Sequence, residues 1–347
     1  MVIYAVFIII VFGLLCFVKK DKYNIWDFIV IAVIVCFSGF RYRVGTDYAM
    51  YEKIYMNMDM IPATLFRTGI GYYYITVFLH KLIPSTAVPM FFIISFFTNT
   101  LIYKFCKERS DNPGLSIFMY ICLGFYPGSF NIFRQMLSLA LTLYSYKFLE
   151  PKKYFKYAIF CGLAIYIHQS SIFIIGMMII FNKIWRKKLN AKILLIIGIG
   201  MLLIYQTIYK FLIVNIGFIS IYNNTEQYVA GIGTYLQILI YGFLFVLINI
   251  NKDRIIQKNP RNLEYINLFS VSFIMMLLGI KNTLFMRMAT YLNIFIILLI
   301  PELYNIYKLK DKKIEKICFY LCCIIYFFVY INSFGDVVPY HSIFEIK

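Results

Sequence analysis

Charged side chains are scarce in this chain. Asp, Glu, Lys and Arg make up 14% of its 347 residues, where a water-soluble domain carries about a quarter. With 62% hydrophobic residues and a mean hydropathy of +0.76, there is too little polar surface to cover a globule in water, which excludes a soluble protein. Acidic residues are scarcer still, 16 against 34 Lys and Arg. A net charge of +18 would suggest nucleic acid in a soluble protein, but no soluble stretch is long enough to bind it, so nucleic acid is excluded. The eight cysteines lie in or beside apolar runs with no CxxC pair and no neighbouring histidine, which argues against a disulfide framework and a zinc site. No metal and no cofactor is expected. The amino terminus lacks a basic leader and a small-residue cleavage site, so it reads as a retained span. Internal repeats, low-complexity segments and Pro- or Gly-rich linkers are missing too, and residues 1–347 read as a single transmembrane domain.

What is present is a series of apolar runs separated by short basic stretches. Runs of about 17 to 25 residues span a bilayer as helices, and spans are expected near 2–18, 25–40, 86–104, 114–127, 131–149, 191–214, 230–250, 264–280, 284–306 and 316–333. The run 154–184 is flanked by lysines and arginines at both ends and interrupted by His168-Gln169-Ser170-Ser171. A single crossing would put one basic cluster on the wrong side, so a helical hairpin with His168 near its outer tip is preferred. The fold class is therefore all-α: a polytopic integral membrane protein of about 12 helices. Both termini lie outside, 24 of the 34 Lys and Arg lie in cytoplasmic loops, and the remainder oppose the orienting rule. The 41–85 stretch is the longest extracytoplasmic loop, with 70–83 an interfacial or re-entrant helix.

Four polar clusters map to the outer side. In Arg41-Tyr42-Arg43-Val44-Gly45-Thr46-Asp47-Tyr48, two arginines beside a glycine turn suit phosphate oxygens through their forked donors; lipid headgroups are the other reading. Asn131, Arg134 and Gln135 stand at i, i+3 and i+4, expected on one face at a helix N-terminus, where another cation is unfavourable unless an anion lies opposite. A structural bridge from Arg134 to Asp47 or Glu52 is the alternative. His168 breaks an apolar run, and a titratable group there is a functional candidate by default. Arg287 and Tyr291, at i and i+4, offer a further cation and ring at the outer entrance of the 284–306 span, with an interfacial anchor as the alternative. The 31 tyrosines, among them Tyr42, Tyr51, Tyr72, Tyr222 and Tyr228 in outer loops, could face sugar rings, although an interfacial belt accounts for most of them.

In their order and spelling, Arg43-Val44-Gly45-Thr46-Asp47-Tyr48 with Tyr51, then Asn131-Ile132-Phe133-Arg134-Gln135, then Ala164 and His168-Gln169-Ser170-Ser171 resemble the EpsG family of polysaccharide polymerases, which share their role with the Wzy O-antigen polymerases. The likeness covers roughly residues 25–305. It implies a GT-C-like multi-span glycosyltransferase of the bacterial cytoplasmic membrane, active on the periplasmic or extracellular side and independent of metal. Such an enzyme moves a growing O-antigen, capsule or exopolysaccharide chain from undecaprenyl pyrophosphate onto an incoming lipid-linked repeat unit. Its partners would be those lipid-linked units, membrane lipids, a chain-length regulator and a flippase. Arg41, Arg43, Arg134 and Arg287 are then the candidates to stabilise the departing pyrophosphate; Tyr48, Asn131, Gln135 and Tyr291 complete the substrate contacts. Asp47 and His168 are candidates for the base, His168 preferred because a neutral imidazole accepts a proton near pH 7. An O-antigen ligase shares this donor chemistry, and a flippase or transporter also needs cations for a pyrophosphate; a flippase would more naturally show repeated halves and mid-membrane polar groups. A membrane acyltransferase rests on His168 alone.

Overall fold

The computed structural model describes residues 1–66, 69–149, 151–184, 186–207, 210–211 and 230–345. Expectations on Tyr222, Tyr228 and the end of the 191–214 span lie outside them. The described residues are helical apart from connecting turns and one isolated bridge, and form two compact units, Met1–Ile172 with Leu309–Lys347, and Phe173–Lys308. A bilayer dictates this: no water is available to backbone N–H and C=O groups, so each segment must satisfy them internally.

The first unit contains α1 (Val2–Leu15), α2 (Ile25–Gly39), α3 (Tyr48–Met56), α4 (Ile70–Leu82), α5 (Val88–Arg109), α6 (Pro113–Cys122), α7 (Phe125–Gly128), α8 (Phe133–Ser145) and α9 (Tyr154–Ile167). It also holds the first residues of α10 (Ser171–Ile179) and, from the end of the chain, α17 (Lys313–Ser333). Through its middle, α2 packs on α5, α5 on α8 and α8 on α9. The start of α2 is written in the sequence. Asn24 Oδ1 accepts from the Trp26 and Asp27 amides at 2.9 and 3.2 Å, and Asp27 Oδ2 accepts from the Asn24 amide at 2.7 Å, a reciprocal cap. Asp27 is fully buried; its other oxygen accepts from Lys107 Nζ and the Tyr103 hydroxyl of α5, both at 2.6 Å. A buried carboxylate needs such a partner, so this pair fixes which face of α5 meets α2.

Three expectations for this unit change. The 41–69 stretch is not an open loop: α3 and the short 3₁₀ turns Met58–Met60 and Ala63–Phe66 occupy much of it. The 114–127 span ends at Cys122, because Gly124 turns left-handed at φ +89° and a Cβ there would run into Tyr330 of α17. In consequence α8 begins only at Phe133, and Asn131 sits before the helix in a turn, its amide donating to the Gly128 carbonyl at 3.1 Å. Asn131, Arg134 and Gln135 therefore do not share a helix face. In the 154–184 run, α9 and α10 are separate helices interrupted at residues 168–170, and α10 passes into a π turn, Ile180–Ile184.

The second unit contains α11 (Ala191–Leu203), α12 (Ile232–Ile250), α13 (Lys252–Lys258), α14 (Asn262–Leu278), α15 (Thr283–Asn293) and α16 (Ile296–Ile306), with α14 touching each of the others. The expected 284–306 span is instead a pair bent by 53°. Asn293, the last residue of α15, is buried and accepts a hydrogen bond from the Ser272 hydroxyl of α14. A break of this kind is tolerated at membrane depth where protein surrounds it. Among the described residues α5, α12 and α17 are long and apolar enough to cross a membrane individually.

Candidate functional site

The amino-terminal end of α8 organises the site in the first unit. Arg134 occupies its first turn, and neither this helix nor α4 has a side-chain cap at its N-terminus. Arg134 Nε donates to the Tyr51 hydroxyl at 3.2 Å, and its guanidinium carbon lies 5.8 and 5.3 Å from the ring centres of Tyr51 and Tyr72. Two rings at that distance hold the cation through their electron-rich faces and limit its rotation. Gly69, the residue before α4, lies directly beside it: a Cβ there would stand 3.5 Å from Arg134 Nη1 and would collide with the Ile167 carbonyl. That carbonyl belongs to the last residue of α9, and His168 follows. The missing side chain at Gly69 thus lets the start of α4, Arg134 and the end of α9 meet.

His168 closes α9 as its C-cap, its amide donating to the Ala164 carbonyl at 2.9 Å. The Ser138 hydroxyl of α8 donates to Ala164 O at 2.8 Å and lies 3.4 Å from His168 O, so α8 carries Arg134 at its start and fixes the His168 backbone from its second turn. Ser171 is fully buried, and Gln135 lies in the core.

The 41–48 motif lies against the turn before α8. Thr46 Oγ1 is 3.2 Å from both Asn131 Oδ1 and Asp47 Oδ1, and Asp47 stands one turn before Tyr51, whose amide donates to the Asp47 carbonyl at 3.1 Å. Tyr48 is buried and stacks on Phe91 of α5 at 4.3 Å with 7° between the planes; burial first, and the Glu52 carboxylate second, raise its hydroxyl pKa. Arg43 is exposed, its guanidinium 5.3 Å from the Tyr42 ring centre, with its backbone in the left-handed region at φ +52°.

Arg41 has a different environment. Only 1% of it is exposed; it donates to the Ser38 carbonyl at the end of α2 and, at 3.3 Å, to the Phe130 carbonyl before α8. The rings of Phe91, Phe130 and Phe133 lie 4.9, 4.9 and 5.3 Å from its guanidinium carbon. Burial pushes its pKa down to about 10, which leaves it a cation at neutral pH. The charge caps the carbonyl end of α2, where a cation is favoured.

Arg287 and Tyr291 belong to the second unit, on α15. Arg287 is exposed and Tyr291 wholly buried. Three of the four clusters expected from sequence thus lie together in the first unit.

Sequence reasoning missed the segment after α17. Residues 335–343 run along the 40–46 stretch: Tyr42 N donates to His341 O at 2.8 Å, Gly45 N to Asp336 O at 3.0 Å, Thr46 N to Gly335 O at 3.2 Å, and Ile343 N to Phe40 O at 2.9 Å. Tyr340 and Tyr4 hydroxyls donate to the carbonyls of Phe37 and Val337 at 2.8 and 2.6 Å. The available signal was Gly335-Asp336, a turn dipeptide, followed by the apolar Val337-Val338-Pro339-Tyr340.

The chain matches the EpsG family over residues 24–342 of 347. No match was found among curated proteins or among solved structures. With nearly its whole length matched, this membrane protein belongs to the EpsG family.

Proposed function

We propose that the chain is a polysaccharide polymerase that transfers a growing glycan from undecaprenyl pyrophosphate onto an incoming lipid-linked repeat unit, at the outer face of the bacterial cytoplasmic membrane. Family membership supports the general role of a polysaccharide polymerase. The observation that carries the finer reading is the setting of Arg134: a half-buried guanidinium held between two tyrosine rings, at the start of α8 and beside the start of α4. Uncapped N-terminal amides and a fixed guanidinium together favour a multiply charged anion, and the leaving group in this chemistry is a pyrophosphate.

In the reaction, an acceptor hydroxyl oxygen on the repeat unit bonds to the anomeric carbon of the growing glycan, while the bond from that carbon to the pyrophosphate oxygen breaks. The hydroxyl proton passes to a base, and undecaprenyl pyrophosphate leaves with the bonding pair. Arg134 and the exposed Arg43 stabilise the charge that develops on the leaving oxygens. His168 is the preferred base and Asp47 the alternative; the first lies in a segment held to α8 and the second in one held to the turn before it. Arg41 supports this end from within the core. Attack opposite the leaving group would invert the anomeric centre.

The deciding experiment is Arg134→Ala, with glycans analysed by carrier and by length. Chain extension should fall about a hundredfold or more at normal protein abundance, leaving single repeat units on the final acceptor. Full-length chains retained on the carrier lipid would identify a ligase, and undiminished extension would remove Arg134 from the reaction.

A further inference from the structure

Two left-handed glycine corners, one near each end of the chain, close on the same side chain. Gly45, at φ +98°, approaches Asn131 so nearly that a Cβ would lie 2.6 Å from its Oδ1; Gly335, at φ +72°, approaches the Asn131 amide nitrogen so nearly that a Cβ could not fit. Asn131 uses both ends of its amide: Nδ2 donates to Gly335 O at 3.0 Å and Oδ1 accepts from the Thr46 hydroxyl at 3.2 Å. Gly335 O also accepts from Thr46 N, and Asp336 O from Gly45 N. Arg43 and Asp336 are left-handed without being glycine, at φ +52° and +48°, a conformation that persists only where the surroundings enforce it. The family match runs to Ser342, well past the end of α17 at Ser333 and up to the residue that bridges Arg41.

From this geometry we infer that Asn131 and the 335–343 strap are positioning elements of the reaction. They hold the 43–47 turn, and with it Arg43 and Asp47, in fixed register to Arg134 two residues into α8. The inference rests on the polymerase reading for what the turn does, and on contacts alone for what holds it. Asn131 then acts through the turn, with its amide already committed to Thr46 and Gly335. The strap braces the turn while carrying none of the family-like motifs.

The test uses the full chain in lipid nanodiscs, with hydrogen–deuterium exchange followed at residues 43–48. Asn131→Asp keeps the acceptor for Thr46 and replaces the donor to Gly335 O with an oxygen. Gly335→Ala inserts a methyl at the corner. Both should speed exchange of the Gly45 and Thr46 amides at least tenfold with α5 protection unchanged, and with purified lipid-linked repeat units both should lower kcat more than they raise KM. A substrate-binding role for Asn131 would leave those amides as slow as in the parent and would spare Gly335→Ala. Unchanged exchange in both variants, or parental extension by Gly335→Ala, overturns the inference. If either variant also loses α5 protection, Thr46→Val decides: it removes one hydroxyl, and unchanged exchange at 43–48 there overturns the inference. Slow exchange at 43–48 together with full-length chains retained on the carrier lipid in Arg134→Ala would instead sink the polymerase reading while leaving the clamp standing.

Discussion

Three arginines that read alike in sequence have three environments. Arg43 is exposed, Arg134 is half-buried between rings, and Arg41 is enclosed. Their expected responses to substitution differ accordingly. Tyr51→Phe keeps the ring beside Arg134 and removes the hydroxyl that accepts from its Nε. A hydrogen bond to a charged group contributes about 1.5–3 kcal/mol, so chain extension should fall roughly tenfold or more with protein abundance unchanged, read by product length at fixed time. Arg41→Lys should act on the fold instead. A lysine has a single ammonium and cannot bridge the Ser38 and Phe130 carbonyls as a planar fork does. It leaves a buried carbonyl unsatisfied at about 1–3 kcal/mol, visible as a lower thermal midpoint in detergent. An unchanged midpoint would contradict the bracing role.

At the scale of elements, α2 and α5 depend on the buried pair of Asp27 and Lys107, joined by Tyr103. Removing one member strands the other in an apolar interior, so Lys107→Met should lower stability by about 3–5 kcal/mol. The double variant Asp27→Leu with Lys107→Met should recover much of that loss, because neither charge then remains buried; unfolding in graded denaturant reads both. Element boundaries were legible where local chemistry sets them. The expected 25–40 span starts where Asn24 and Asp27 cap α2, and α9 ends at the polar break expected at His168. The late start of α8 was not legible, because the φ +89° turn at Gly124 depends on Tyr330 of α17 lying against it.

For the whole molecule, the basic loops predict an orientation that can be tested directly. With His168→Cys in a chain whose exposed native cysteines are replaced, a membrane-impermeant maleimide should label position 168 from the outer side. Labelling only from the cytoplasm would overturn the hairpin topology and the outer site with it. The same chain-wide view separates what each level of description decides. Composition determined that this is a membrane protein, at 62% hydrophobic and 14% charged, and the length of its apolar runs that its spans are helices. The motifs around Asp47, Arg134 and His168 identified the family, because they are short and local. Tertiary structure alone decided which arginine is enclosed, where the 284–306 span bends and what holds the 43–47 turn. Those outcomes depend on groups far apart in sequence, as with Asn131 and Gly335, 204 residues apart, and no local pattern encodes which distant carbonyl an amide will meet.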